Sequence, residues 1–181
     1  VLEPSVHIRA ANLADLSRCF HISGVFETDH VWQVDQRVEE DVITVTLRLV
    51  RLPRPLKASY PPWGEGLLDQ WERGDCVLVA EDEHEILGYT VMSLQPDREL
   101  GWVDHLVVAA PARRHGVGTT LLRAAHEWGV QRGVRRIMLA VQSKNHPAVC
   151  FCRKHGLAFC GFNERYFANL DIALFFGGFL R

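Results

Sequence analysis

Hydrophobic and polar positions alternate or recur along the chain in a way that divides it into about a dozen elements. VHIRAA, near the start, alternates as a strand, and NLADLSRCFHI follows with helical spacing and Asn12 or Asp15 near its first turn. TDHVWQVDQ and DVITVTLRLV both have period two; in the second, Ile43, Val45, Leu47 and Leu49 fall on one face and Thr44, Thr46 and Arg48 on the other. The spacing predicts a hairpin joined by RVEED. Pro53, Pro55, Pro61 and Pro62 then crowd RLPRPLKASYPPWGEG, which predicts a loop, since each proline removes a donor and fixes φ. LLDQWERG is expected to form a short helix stopped by Gly74, followed by strands CVLVAED, ILGYTVMSL and LGWVDHLVVAA, separated by turns EDEHE and QPDRE.

The second half changes rhythm. From Gly116 to about Gln131 the pattern is helical, with Val117, Leu121, Ala125 and Trp128 on one face and an Arg123–Glu127 pair on the other. Gly133 stops it, and RRIMLAVQ follows as a strand. SKNHPAVCFCRKHG is a second helix, with Pro147 in its first turn and Gly156 just past its end. YFANLDIALFFGGFL closes the chain with one or two strands. Strand, turn, helix, strand over WVDHLVVAA to RIMLAVQ is a βαβ crossover, and APARRHGVG lies at its strand-to-helix turn.

That turn is where candidate chemistry concentrates. Glycines at 116 and 118 let main-chain N–H groups approach a ligand, and the first turn of a helix offers unpaired donors and a partial positive charge. An anion would be held there, with Arg113 and Arg114 as mobile charge at the rim. No Gly-Lys-Ser/Thr follows, and the third glycine of a dinucleotide fingerprint is missing.

Charge sharpens this picture. The chain of 181 residues has a net charge of −2, yet residues 1–100 carry 9 basic and 18 acidic side chains (−9) against 11 and 4 (+7) in residues 101–181. A polyanionic small ligand on the second half and a cationic one on the first would match those signs. Nucleic acid is disfavoured, because no basic patch interleaved with aromatics occurs. No apolar run approaches the roughly 20 residues of a membrane span, and VLEPSVHIRA carries no basic-then-apolar leader. Five cysteines, an odd number, suit a reducing compartment. A single soluble, cytoplasmic domain over 1–181 without membrane attachment is expected.

VDHLVVAAPARRHGVGTTLLRAAHEWGVQRGVRRIMLAV, with the Asn, Ala, Phe and Gly that follow, resembles the acetyl-CoA-binding core of the GNAT superfamily of N-acetyltransferases. The likeness spans about residues 101–162, and its signature, Q/R-x-x-G-x-G/A, is met by Arg113 to Gly118. The resemblance implies an α/β (α+β) fold, a mixed and mostly antiparallel twisted sheet flanked by helices. It implies acetyl-CoA as co-substrate, no metal, and direct attack by a primary amine. Arg113, Arg114, His115, Gly116, Val117, Gly118 and Thr119 would wrap the pyrophosphate. Leu106, Val107 and Val108 would pair with the pantetheine arm, one N–H near Val108 polarising the thioester carbonyl. Asn145 would help fix the arm, a role compatible with capping the helix that begins at Pro147.

Proton traffic is left open between pairs of residues. Asp104 or His105, on the entering strand, takes the position of the family's base; neighbours on a strand face opposite ways, so one of them points at the cleft. In the family's N-x-x-A-x-x-F-Y the last tyrosine commonly protonates the leaving thiolate. Here Cys152 stands in its place, and Tyr166 is the alternative donor. The Glu carried five residues before the Asn by relatives that acetylate a ribosomal N-terminal alanine is Ala140 here, which disfavours that substrate. Cys150, Cys152, His155 and Cys160 are zinc ligands by type only, because Cys150 and Cys152 diverge around one helix.

The acceptor is expected on the hairpin and loop of about residues 27–66. Glu27, Asp29 and Asp35, with Trp32 and Trp63, could receive a cationic, partly flat molecule. RYFANLDIALFFGGF resembles the streptothricin-type acetyltransferases. A small-molecule amine and a peptide or protein amine both stay open, as do a non-catalytic CoA-binding sensor and, from an edge strand near the C-terminus, a homodimer.

Overall fold

The computed structural model describes residues 6–60, 64–83 and 85–180. In chain order the elements are β1 (His7–Ala10), α1 (Leu13–Phe20), β2 (Val25–Glu39), β3 (Val42–Ser59), α2 (Gly64–Glu72), β4 (Cys76–Glu81), β5 (Ile86–Gln95), β6 (Leu100–Val108), α3 (Val117–Val130), β7 (Arg136–Gln142), α4 (His146–Lys154), β8 (Ala158–Asn163) and β9 (Ala173–Phe179). Seven strands form one mixed sheet in the order β1-β4-β5-β6-β7-β9-β8, and β2 and β3 form a separate two-stranded ribbon. The expected fold class is therefore observed. Two compact units share the chain. One holds β1, α1, α2, β4 to β6, α3 and β7 as far as Leu139; the other holds the ribbon, the end of β7 from Ala140, α4, β8 and most of β9.

In the first unit, β1, β4, β5 and β6 are antiparallel neighbours, whereas β6 and β7 run parallel through the α3 crossover. Val79, Val91, Met92, Leu121 and Ile137 are completely buried or nearly so. Met92 fits because two neighbours lack side chains: a Cβ on Gly101 would sit 2.6 Å from its sulfur, and one on Gly129 3.0 Å from its methyl. The buried face of α3 is Val117, Leu121, Leu122, Ala125 and Gly129. Trp128, expected on that face, is half-buried at its edge under the Arg132 guanidinium, 3.8 Å from the ring centre.

The start of α1 is fixed by an ionic clasp. Asn12 and Asp15 form a reciprocal capping box, and the Asp15 carboxylate, 3% exposed, also receives both terminal nitrogens of Arg9. Arg9 reaches on to both carboxylate oxygens of Glu81 on β4, at 2.9 and 2.7 Å. One guanidinium thus ties β1, α1 and β4.

In the second unit the ribbon is longer than expected. Its turn is just Glu40 and Asp41, with Glu40 in the left-handed region. The proline-rich loop is corrected in part: β3 runs through Pro53 and Pro55 to Ser59. The register explains this, since Thr28 pairs with Leu56 and His30 with Arg51, so residues 52–55 face Asp29 alone. Prolines are tolerated in such a bulge because no ladder bond needs their missing donor. Pro61, Pro62 and Trp63 lie outside the described residues. The chain after α4 contributes β8 as well as β9, and β8 was not anticipated as a strand.

Arg9 holds the Asp15 carboxyl below the usual carboxylate range, with the Asn12 N–H adding to the effect. Its stabilisation is fully present above the unfolded value of about 4 and is lost as pH falls through the lowered folded value. Asp15→Ala removes cap and ion pair together and should cost about 3 kcal/mol. Thermal unfolding at neutral pH should show a Tm lower by roughly 6–12 °C, a difference that shrinks in acid.

Candidate active site

β6 carries the first part of the site. Its ladder with β7 runs from Leu100/Arg136 to Val103/Leu139, whereas β6 itself continues to Val108. Among the described residues, Leu106, Val107 and Val108 therefore have a strand partner in β5 and none in β7. At the point where the β7 ladder stops, the β5 register also shifts: Val91 pairs with His105 and Met92 with Val103. Asp104 is the extra residue of a bulge. Its Oδ2 accepts the Ser93 main-chain N–H at 3.0 Å, and burial raises its pKa against the lowering effect of that bond.

His105 is 5% exposed, packs near Tyr89 with ring centres 6.5 Å apart, and is driven by burial down to about 4. As a base for an ammonium it is disfavoured by access: its ring is almost wholly buried, whereas Asp104 beside it is half-exposed. The one-face argument that set Asp104 against His105 also needed the bulge, which no alternation pattern signals.

The turn into α3 follows. Gly116 caps the helix at φ +86°, Arg114 is left-handed at φ +68°, and α3 begins with no side-chain cap. A Cβ added at Gly116 would meet nothing within 4 Å. Arg114, His115 and Gly116 are exposed; Val117 is buried, and Gly118 and Thr119 are half-buried in the first turn. A first turn with no side-chain cap, beside the open space at Gly116, suits an anionic pyrophosphate. The residues present fit acetyl-CoA. Arg113 is corrected: rather than mobile, its Nε donates to Val108 O at 2.9 Å and a terminal nitrogen to Ser23 O at 3.1 Å, and burial lowers its pKa. It braces the end of β6.

The remaining candidates lie in the second unit. Asn145 caps α4, its side chain accepting from Ala148 N at 3.1 Å. Cys152 is 1% exposed on the inner side of α4, and burial pushes its thiol up to about 12. It is a core residue there, which argues against the donor role expected of it. Tyr166 is 41% exposed and stacks edge-on against Phe167 and Phe175. Glu27 and Asp29 are exposed on one side of β2, and Asp29 binds the His30 ring at 2.7 Å. Trp32 is not beside them. It turns to the other side, where its Nε1 donates to His146 Nδ1 at 3.2 Å.

Three polar partners escaped sequence reasoning: Gln142, Lys144 and Asn169 all reach Asp171 Oδ2, at 2.6, 2.7 and 2.7 Å. They come from two segments almost thirty residues apart, and no spacing links them. Among the described residues no group of three or more His, Cys, Asp or Glu could hold a metal, and no helix is long and apolar enough to cross a membrane.

A β6 edge freed beyond a bulge, running into an uncapped and glycine-led helix, offers main-chain groups to a ligand that carries both amides and phosphates. The profile of the acetyltransferase (GNAT) family matches residues 46–157, and the chain belongs to that family. Streptothricin acetyltransferase of Streptomyces lavendulae is 29% identical over 175 residues, covering 93% of this chain and 86% of that one. The crystal structure of nourseothricin acetyltransferase superposes with a TM-score of 0.85 at 25% identity, over 98% of this chain and 99% of that one. A Bacillus anthracis (strain Ames) protein described as a streptothricin acetyltransferase, crystallised with acetyl coenzyme A, gives 0.75 at 19% identity over 99% of both chains. The protein is an acetyl-CoA-dependent N-acetyltransferase.

The low folded pKa of His105 has a signed consequence. Between its unfolded value of about 6.5 and the folded value of about 4, the unfolded chain takes up a proton that the folded one refuses. Stability is full above that window and falls as pH drops through it. The His105 resonance in an NMR titration should therefore stay in its neutral position at pH 6.

Proposed function

We propose that the protein acetylates a primary amine of a small, polycationic molecule of the streptothricin kind. The observation that carries this reading is the extent of the likeness to the streptothricin acetyltransferase: it runs through nearly all of both chains, so it takes in the hairpin region as well as the acetyl-CoA core. Glu27, Asp29 and Asp35 share one side of β2 and suit a cationic acceptor. Trp32, engaged by His146, serves the packing of the ribbon and is dropped from the acceptor set.

Acetyl-CoA, when bound, supplies the acyl carbon and a thiolate leaving group. The chain's own residues bind, orient and move protons. N–H donors of Arg114 to Thr119 hold the pyrophosphate, and the open edge of Leu106 to Val108 holds the pantetheine arm. A main-chain N–H near Val108 would polarise the thioester carbonyl. Asp104 is the base. Its raised pKa makes it a better proton acceptor than an ordinary carboxylate, and Ser93 holds it in place. Tyr166, exposed where Cys152 is buried, is the better candidate of the two for a proton donor.

Incubating the purified protein with acetyl-CoA and a streptothricin should yield product heavier by one acetyl group. Asp104→Asn should lower kcat/KM by about 100-fold or more while acetyl-CoA binding is retained. Because the deprotonated carboxylate is the active form, the wild-type rate should rise with pH through a value above the ordinary carboxylate range, and the variant should lose that limb. Acetyl-CoA binding without transfer to any amine would instead favour a sensor, and full activity in Asp104→Asn would remove Asp104 from the mechanism.

A further inference from the structure

The ribbon is amphipathic beyond the point where its own chain covers it. Its register places Trp32 with Leu49, Val34 with Leu47, Gln36 with Val45 and Val38 with Ile43 on one face, and seven of these eight side chains are apolar. The alternate pairs Gln33/Arg48, Asp35/Thr46 and Arg37/Thr44 make the other face polar. At the base of the ribbon the apolar face meets α4, β8 and β9 of the same unit. Trp32 and Leu47 line a groove of about 500 Å³ there with Arg153, Phe159 and Phe176. Toward the tip it is bare: Val38 is 64%, Ile43 66% and Val45 40% exposed.

A two-stranded ribbon is marginal in water unless its apolar face is packed, and a bare face of this kind marks a contact surface. Charge identifies what fits. The tip ends in Glu39, Glu40 and Asp41, all exposed, whereas the apolar side of the arm's base carries Arg51, and the last turn of α4 adds Arg153 and Lys154. The occupant must bring apolar side chains followed by an acidic end, and the arm's own tip has both. Two arms packed antiparallel about an axis at Gln36/Val45 would lay the Val38/Ile43 pair of one over the Val34/Leu47 pair of the other. Each acidic tip would then meet a basic base, and the two Gln36 amides would face each other across the axis. Parallel arms would set acid against acid.

We propose that the protein is a two-fold homodimer formed by arm exchange, the β2–β3 tip of each copy seated on the apolar base and groove of the second copy. An arm face about 17 Å by 10 Å falls short of the roughly 800 Å² per partner of a stable interface. Reciprocal exchange makes each copy contribute both a tip and a groove, which about doubles the area covered. The inference does not depend on the identity of the amine acceptor.

Sedimentation of the full chain over a wide concentration range tests this. The wild type should be dimeric, and Ile43→Lys should weaken the dimer by about 100-fold while leaving the circular dichroism and acetyl-CoA binding unchanged. Arg153→Glu should also weaken it, and adding Glu40→Arg should recover most of the loss. Gln36→Cys should crosslink to itself under mild oxidation well above the background of the native exposed cysteines, and Thr44→Cys, on the polar face, should not. A wild type that stays monomeric overturns the proposal. So does a dimer that tolerates Ile43→Lys, or one in which Thr44→Cys crosslinks as readily as Gln36→Cys.

Discussion

Main-chain hydrogen bonds left unmade are the constraint on which the β6–α3 segment depends. A strand that outruns its parallel neighbour and a helix that starts without a side-chain cap both expose donors and acceptors that a compact protein normally pairs. The local sequence holds this arrangement open. Gly116 takes the left-handed corner, Arg114 takes another, and Arg113 pins the last β6 carbonyl so that the strand end does not drift. Behind them Val117, Leu121, Leu122 and Ala125 anchor α3 to the sheet, so the donors sit on a rigid platform. A pantetheine amide and a pyrophosphate satisfy such groups by chemistry that this segment withholds from itself.

The same economy governs the proton-handling residues. Burial acts on half-buried Asp104 and on buried His105 and Cys152, in the direction that disfavours their charge: Asp104 up, His105 down, Cys152 up. For a carboxylate expected to accept a proton that shift improves the base, whereas for an imidazole it weakens one. Access then separates the two neighbours on one strand, since Asp104 is half-buried and His105 almost wholly so.

Much of the architecture was legible because its signals are local. Alternation marked β4 to β6, helical spacing marked α3 and α4, and Asn12, Pro147, Gly74 and Gly156 marked helix ends. The βαβ crossover and its Gly-x-Gly turn followed from order alone. What stayed hidden depends on partners distant in the chain. Pro53 and Pro55 are strand residues only because the opposite strand offers Asp29 alone across from residues 52–55. Asp104 is a bulge because β5 skips a place, and Arg113 is a brace because Ser23 lies within reach. Trp32 was grouped with Glu27 and Asp29 by proximity in sequence, although strand parity sends it to the opposite side.

Hydrogen–deuterium exchange of the protein with and without saturating acetyl-CoA tests the central claim most directly, since it reads the main-chain donors one segment at a time. The structure predicts slower exchange confined mainly to residues 106–108 and 114–119 when acetyl-CoA is present. Unchanged exchange in both segments under saturation, with protection appearing elsewhere, would contradict the site.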